Sequence, residues 1–178
     1  MNKNNKKKSV LKNLIFLLII YLFLLPSYIP YWPTIPIYEN KEAEVVKSKV
    51  EDRDNRDIEF FKLTDEHIGH AFAEHVEETT EELRDMFSHT KPVILAIKYL
   101  INRPRPYQID ESIDYIDTDT GRTPAMPAGH AYQAYYLSKV LSKKYPEKKN
   151  VFDGIAKRCD ECRVKAGIHY PSDGKLSK

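Results

Sequence analysis

The spacing of apolar residues after residue 60 constrains the fold of this chain more than any other feature. A first set recurs at the intervals of one helix face and consists of Ile68, Phe72, Val76, Leu83 and Phe87. This spacing predicts an amphipathic helix with Thr64 as its N-cap. No stretch alternates apolar and polar residues over the length of a strand, so the sequence predicts an all-α fold.

Three further helices are predicted in the second half of the chain. One begins near Pro92, because the first turn of a helix tolerates proline, and must end near Pro104. The others cover about residues 129–145 and 148–166. Residues 103–128 hold four prolines and a run rich in Asp and Thr, which indicates a long loop that carries functional residues. Residues 60–178 are therefore predicted to form one helical bundle domain.

The first forty residues have a different character. Residues 1–12 carry five lysines, whereas residues 13–38 carry no charge and include an apolar run from Leu14 to Leu25. This pattern predicts a transmembrane helix with a proline-rich exit. Because lysines before a span stay in the cytoplasm, the N-terminus is expected there and the rest of the chain outside, as in a single-pass membrane protein. A cleaved signal peptide is the alternative. Residues 39–59 are predicted to be a charged linker, with a frayed helix as the alternative.

Charge and cysteine content exclude some classes of protein. The chain has 28 Lys and Arg residues against 26 Asp and Glu residues among 178, so a nucleic-acid partner is not expected. Cys159 and Cys162 share the apolar stripe of the last long helix, which predicts buried free thiols, with a disulfide as the alternative. His67, His70 and His75 lack a nearby acid–histidine signature and are interpreted as helix-surface residues, so no metal site is predicted.

Three short stretches carry residues suited to chemistry. They consist of Lys98, Arg105 and Pro106; of Pro127, Gly129 and His130; and of Arg163, His169 and Asp173. Together, in this order and spacing, they resemble the tripartite signature of the type 2 phosphatidic acid phosphatase and vanadium haloperoxidase superfamily. The resemblance covers about residues 60–178 and looks closest to the bacterial class A non-specific acid phosphatases. It implies a helical bundle that works in water.

The chemistry of the first two stretches agrees with this resemblance. Phosphoryl transfer spreads negative charge over three oxygens, which planar guanidinium groups at Arg105 and Arg163 and the ammonium of Lys98 would neutralise. Gly129 begins a predicted helix, where the free amides favour an anion. His130 is the expected general acid that protonates the leaving oxygen.

The third stretch supplies the expected nucleophile. His169 would attack phosphorus through one ring nitrogen and form a phosphohistidine that water hydrolyses. Asp173 would accept a hydrogen bond from the other nitrogen, which sets the tautomer. Pro171 between them predicts the start of a helix. With three cationic side chains in the site, the mechanism needs no cofactor.

Two positions depart from the family pattern. Ala128 stands where most members have a serine whose hydroxyl contacts phosphate. The absence of this hydroxyl is expected to weaken activity by about tenfold. Five residues follow Asp173, whereas relatives continue into a covering helix, so looser positioning of His169 and Asp173 is expected.

The sequence therefore predicts a phosphatase that hydrolyses phosphate monoesters or diphosphates, with phosphorylated small molecules and lipid phosphates as candidate substrates. One alternative is a membrane-anchored protein that binds phosphate or a partner without catalysis. A second alternative is a vanadate-dependent haloperoxidase, since the same pocket can hold vanadate.

Overall fold

The computed structural model describes residues 11–17 and 41–178, and within these residues it contains helices and no strand. The all-α prediction is confirmed for this part of the chain. Residues 11–17 are helical and exposed. The helices that follow are α1 (Glu42–Glu51), α2 (Asn55–Glu66), α3 (Gly69–Phe72), α4 (Thr80–Ser88), α5 (Lys91–Ile101), α6 (Pro106–Ile109), α7 (Gly129–Lys144), α8 (Lys149–Lys165) and α9 (Pro171–Lys175).

The prediction of one helix running from Thr64 to beyond Phe87 was wrong. Thr64 lies in the last turn of α2, and the chain is extended at His67, with φ −163° and ψ 152°. A capping box formed by Thr79 and Glu82 starts α4. These side chains accept hydrogen bonds from backbone amides at the start of the helix. Apolar spacing carries no information about such caps, so a helix can begin or end inside a continuous apolar pattern.

The other predicted helices are confirmed as α5, α7 and α8. Helix α5 ends at Asn102, whose φ of 49° and ψ of 45° lie in the left-handed region. The predicted loop at 103–128 holds only the short α6 and one turn of 3₁₀-helix, Asp119–Arg122. The long connection therefore stays largely irregular, as its prolines indicate.

The largest core lies between α7, α8 and the elements that pack on them. Its fully buried members include Phe72, Leu83, Leu137, Leu141 and Phe152. Helices α7 and α8 form the closest pair, and α2 and α1 pack against α8. Helix α8 thus contacts most of the domain, and its C-terminal end points toward the predicted site residues.

The predicted linker at 39–59 instead contains a packed helix. Helix α1 buries Ala43, Val46 and Val50 in a cluster that also contains Val164 and Tyr170. Only three apolar residues at helical spacing mark this helix in the sequence. The charged residues around them are exposed, apart from Glu42, which is partly buried. Helix α1 therefore packs as part of the same bundle as the helices after residue 60.

The predicted transmembrane segment, 13–38, lies outside the described residues from residue 18 onward, as do residues 1–10 of the basic N-terminus. In the part of the chain that the structure describes, no helix is both long enough and apolar enough to span a bilayer.

The cysteines are free and buried, as predicted. Burial raises the pKa of both thiols, and the Cys162 thiol donates a hydrogen bond to the Cys159 carbonyl at 3.2 Å. The prediction that His67 is a surface residue was wrong, because it is only 9% exposed and its ring packs 4.1 Å from that of His70. Within 11–17 and 41–178, no group of three or more His, Cys, Asp or Glu side chains could hold a metal ion.

A tight reversal after α8 brings the third motif into place. Gly167 has φ +75°, and its amide bonds to the Val164 carbonyl at 2.9 Å while the Ile168 amide bonds to the Arg163 carbonyl at 3.3 Å. This is a Schellman motif with glycine in the left-handed position. A Cβ at Gly167 would lie 3.0 Å from the Tyr115 Cα, so both the turn and the packing require glycine.

We expect Gly167→Ala to lower the free energy of unfolding by about 1–3 kcal/mol, because it adds left-handed strain to a clash with backbone. Urea denaturation monitored by circular dichroism measures this change. The matched control is Gly154→Ala in the exposed middle of α8, where a Cβ meets nothing within 4 Å. It should raise stability by about 0.5–1 kcal/mol. Equal effects of the two substitutions would contradict the role given to the turn.

Candidate functional site

The chain segment after the Gly167 turn holds the predicted nucleophile and its partner. His169 is 3% exposed and Asp173 is fully buried. The His169 Nδ1 lies 3.0 Å from Asp173 Oδ2, which also accepts the Tyr170 amide at 2.9 Å. An ionised Asp173 requires the proton on Nδ1, which leaves the lone pair of the imidazole on Nε2.

Arg105 faces that lone pair. Its side chain is 1% exposed, and Nη1 lies 2.9 Å from His169 Nε2 and donates to the Ile168 carbonyl at 2.7 Å. Its Nε donates to the Thr123 carbonyl at 2.8 Å. Burial is the main cause that lowers the pKa of Arg105 to about 10, so the group stays cationic at neutral pH.

Lys98 reaches the same region from α5. The residue is 4% exposed, and its ammonium group donates to the carbonyls of Pro124 and Ala125 at 2.6 and 3.2 Å. Burial, helped by the positive charge of Arg105, lowers its pKa well below the ordinary value, while Asp173 acts in the opposite direction. Lys98 is therefore a desolvated side chain held against the 103–128 loop by two hydrogen bonds that it donates.

Arg163 projects from the last turn of α8 and is fully buried. Its Nη1 donates to Asp65 Oδ1 at 2.9 Å, and its Nη2 donates to the Thr64 hydroxyl at 2.8 Å. Its face lies over the ring of Phe61, with 4.3 Å between Cζ and the ring centroid. The Nε atom is buried and has no hydrogen-bond partner among the described residues, so one donor of this cation remains available.

Helix α7 starts at Gly129, as predicted, and presents the free amides of its first turn. A Cβ at Gly129 would lie 3.7 Å from Lys98 Cε, so the helix start and the ammonium group are close neighbours. His130 is partly buried, and its Nε2 lies 3.1 Å from the Asp65 carbonyl. Because a carbonyl only accepts, Nε2 carries the proton there, and Nδ1 is left for proton exchange.

The surroundings of both site histidines favour their neutral form. Burial is the largest cause that lowers the pKa of His169 well below its ordinary value, followed by the charges of Arg105, Lys98 and Arg163. Burial also lowers the pKa of His130, with Arg163 as the next cause. Direct contacts bring the three motifs together: Arg105 contacts His169, and Gly129 lies beside Lys98. His130 and Arg163 share Asp65 as a partner.

All seven predicted site residues therefore contribute to this region, but the sequence analysis missed four that support them. These are Glu42, Thr64, Asp65 and Arg103. Asp65 bonds to Arg163, to the hydroxyls of Thr118 and Thr120 at 2.5 and 3.1 Å, and through its carbonyl to His130. No spacing in the sequence links Asp65 to residues this distant, although a carboxylate beside buried cations is expected on physical grounds.

Comparison with known proteins gives no assignment: no family model matches the chain, and no curated protein matches it.

The buried histidines predict a loss of stability on acidification. Unfolded imidazoles bind protons below about pH 6.5, whereas folded His130 stays neutral to lower pH, so the unfolded state binds more protons as the pH falls. Between pH 7 and 5.5, His130→Gln should reduce the slope of unfolding free energy against pH by up to about 1.4 kcal/mol per pH unit.

Urea titrations at several pH values measure this slope. His89→Gln is the control, because the His89 ring is exposed. A slope unchanged in His130→Gln would contradict the burial of a neutral imidazole at this position.

Proposed function

We propose that this chain is a phosphatase of the type 2 phosphatidic acid phosphatase and haloperoxidase superfamily, and that His169 is its nucleophile. The substrate class is a phosphate monoester or diphosphate. The helical bundle and the convergence of the three motifs support the assignment, which otherwise depends on the resemblance in sequence.

The observation that carries the proposal is the burial of Lys98 and Arg105 without a carboxylate in direct contact with either group. Among the described residues, no carboxylate forms a salt bridge with Lys98 or Arg105, and the groups that they contact are backbone carbonyls and an imidazole. Buried ions without counter-ions cost several kcal/mol each. A phosphate dianion would supply the missing charge and would also occupy the unpaired Nε of Arg163.

The first chemical step follows from the tautomer of His169. Its Nε2 lone pair attacks phosphorus, an N–P bond forms, and the bond from phosphorus to the leaving oxygen breaks. Asp173 stabilises the cationic ring that results. Lys98, Arg105 and Arg163 hold the three equatorial oxygens, on which negative charge accumulates.

His130 is suited to the transfer of the proton that the leaving oxygen needs. The bound dianion offsets the nearby cations and raises the pKa of His130, so its ring can be protonated in the complex although it is neutral without substrate. In the second step, water gives a proton to His130 and attacks phosphorus. The N–P bond then breaks and releases inorganic phosphate.

Substrate binding must first exchange one hydrogen bond. In the free protein, Arg105 Nη1 donates to the Nε2 atom that attacks. Phosphate oxygens are stronger acceptors for a guanidinium than imidazole is, so a bound phosphate would take this donor and release the lone pair. Nucleophile activation is thus coupled to occupation of the site.

The same contact also favours a second candidate, a phosphate-binding protein without turnover. A lone pair that stays occupied by Arg105 cannot attack, and Ala128 lacks the hydroxyl that the family places here. The two candidates differ in one measurement, since a binding protein retains inorganic phosphate but forms no phosphoenzyme.

We also propose that the apolar segment within residues 13–38 anchors the domain beside a membrane. Lipid phosphates and soluble phosphate esters would then both be within reach of the site. The support for this part of the proposal is the order of lysines, apolar residues and prolines in the sequence.

His169→Ala should abolish the release of phosphate from an aryl phosphate and the formation of an acid-quenched, ³²P-labelled phosphoenzyme. Binding of inorganic phosphate should persist, because the three cations remain. Calorimetry measures that binding, and His89→Ala is the control for loss of an exposed histidine. Wild-type activity should survive EDTA and be inhibited by vanadate. A labelled intermediate in His169→Ala would contradict the proposed nucleophile.

Ala128→Ser should increase kcat/KM for the same substrate by up to about tenfold, because it adds one hydrogen bond to phosphate. It should also raise stability by about 1 kcal/mol, since Ala128 is the N-cap of α7 and makes no side-chain cap. Ala131→Ser, buried in the same first turn, is the control and should give neither gain. A fall in kcat/KM with Ala128→Ser would contradict the proposed path of the phosphate.

A further inference from the structure

Arg103 ties the His169–Asp173 pair to the first helix of the domain. Its Nη1 donates to Asp173 Oδ1 at 2.7 Å and to the Ser172 hydroxyl at 2.6 Å, while its Nη2 donates to Glu42 Oε2 at 2.8 Å. The guanidinium plane lies on the Tyr170 ring, with 3.8 Å between Cζ and the ring centroid. The side chain is 12% exposed, so this bridge is largely shielded from water.

Glu42 holds the other end of the bridge and the start of α9. Its Oε1 accepts the Ser172 amide at 3.0 Å, and its Oε2 accepts the Ser172 hydroxyl. Helix α9 has only five residues, too few to be stable alone. Glu42 sits on α1, which is fixed by the buried side chains of Val46 and Val50. A rigid helix thus determines where α9 begins.

The Asp173 carboxylate accepts hydrogen bonds from three described residues. Its Oδ2 accepts from His169 and from the Tyr170 amide, and its Oδ1 accepts from Arg103. Three donors in different directions prevent rotation of the carboxylate. The orientation of the His169 ring depends on this carboxylate, so it depends in turn on Arg103 and Glu42.

We propose that Glu42 and Arg103 are positioning residues that orient Asp173 and, through it, His169 for attack. This inference rests on the proposed function for its kinetic consequences, but its structural content concerns a hydrogen bond that exists without substrate. Neither residue belongs to the three motifs.

Arg103 also affects ionisation. Burial raises the pKa of Asp173, and the charge of Arg103 is the largest influence that opposes this rise. Asp65 near Arg163, Asp160, which packs against Gly174, and Glu42 itself are other carboxylates around the site. Lys98, Arg105 and Arg163 are cationic residues there. Without Arg103, Asp173 becomes protonated at higher pH and can no longer accept the Nδ1 proton of His169.

The first test compares Glu42→Gln with Glu44→Gln, an exposed acid in the same first turn of α1. Glutamine keeps the size of Glu42 but loses its charge and one acceptor. Glu42→Gln should lower kcat by about 10- to 100-fold, the usual effect of an outer partner of a functional group, with KM near the wild-type value. Glu44→Gln should change neither constant. Glu42→Asp, which keeps the charge but shortens the side chain, should lie between them.

The second test separates the charge of Arg103 from its bridging geometry. In Arg103→Gln, the acidic limb of the kcat profile should move to higher pH, because Asp173 must lose its proton for activity. In Arg103→Lys, the limb should stay near its wild-type position while kcat falls, since one ammonium group cannot span Asp173 and Glu42. An acidic limb unchanged in Arg103→Gln would overturn the proposal.

The third test works without turnover. In ¹⁵N-histidine-labelled protein, the Nδ1–H proton of His169 should give a downfield NMR signal, which His169→Gln identifies. Glu42→Gln should broaden or shift this signal, and Glu44→Gln should leave it unchanged. If wild type has this signal but no activity, the proposed function fails and the positioning role stands. If Glu42→Gln matches Glu44→Gln in both the signal and kcat, the positioning role is wrong.

Discussion

The desolvated cations at Lys98 and Arg105 are the constraint on which the rest of this structure depends. Neither has a carboxylate within salt-bridge distance among the described residues, so their N–H groups are held by the carbonyls of the 103–128 loop and of Ile168. Those acceptor carbonyls are placed by the path of the 103–128 loop and by the turn at Gly167, after which Ile168 and the buried His169 follow. Apolar side chains in these positions would often make the fold at least as stable. The free-energy cost of burying Lys98 and Arg105 is therefore the argument for the anion that we propose.

The sequence was informative where local rules apply and uninformative where distant contacts decide. Apolar spacing and prolines located α5, α7 and α8 to within about three residues, because these helices bury one continuous stripe. The same spacing missed the break between α2 and α4, where capping side chains outweigh periodicity. Helix α1 was read as a linker, since only three apolar residues mark its buried face.

The site shows the same division. Motif spacing identified the residues that would touch phosphate, but it could not identify Asp65, Arg103 or Glu42, whose partners lie far along the chain. The sequence also led us to expect loose positioning of Asp173. Instead, Ser177 donates hydrogen bonds to the carbonyls of Asp173 and Ala128 at 2.8 and 3.1 Å. Glu42 of α1 accepts hydrogen bonds from Ser172, the residue before Asp173. The residues that support a site are determined by the fold and cannot be identified from the motif alone.

The contact between Glu42 and Ser172 joins residues 130 positions apart. Closing a loop of that length carries an entropic cost before any contact forms, so this contact can form only after the intervening helices have packed. A chain still being synthesised has Glu42 exposed to solvent long before its partner exists. We therefore expect this contact, and with it the final orientation of the His169–Asp173 pair, to form late in folding.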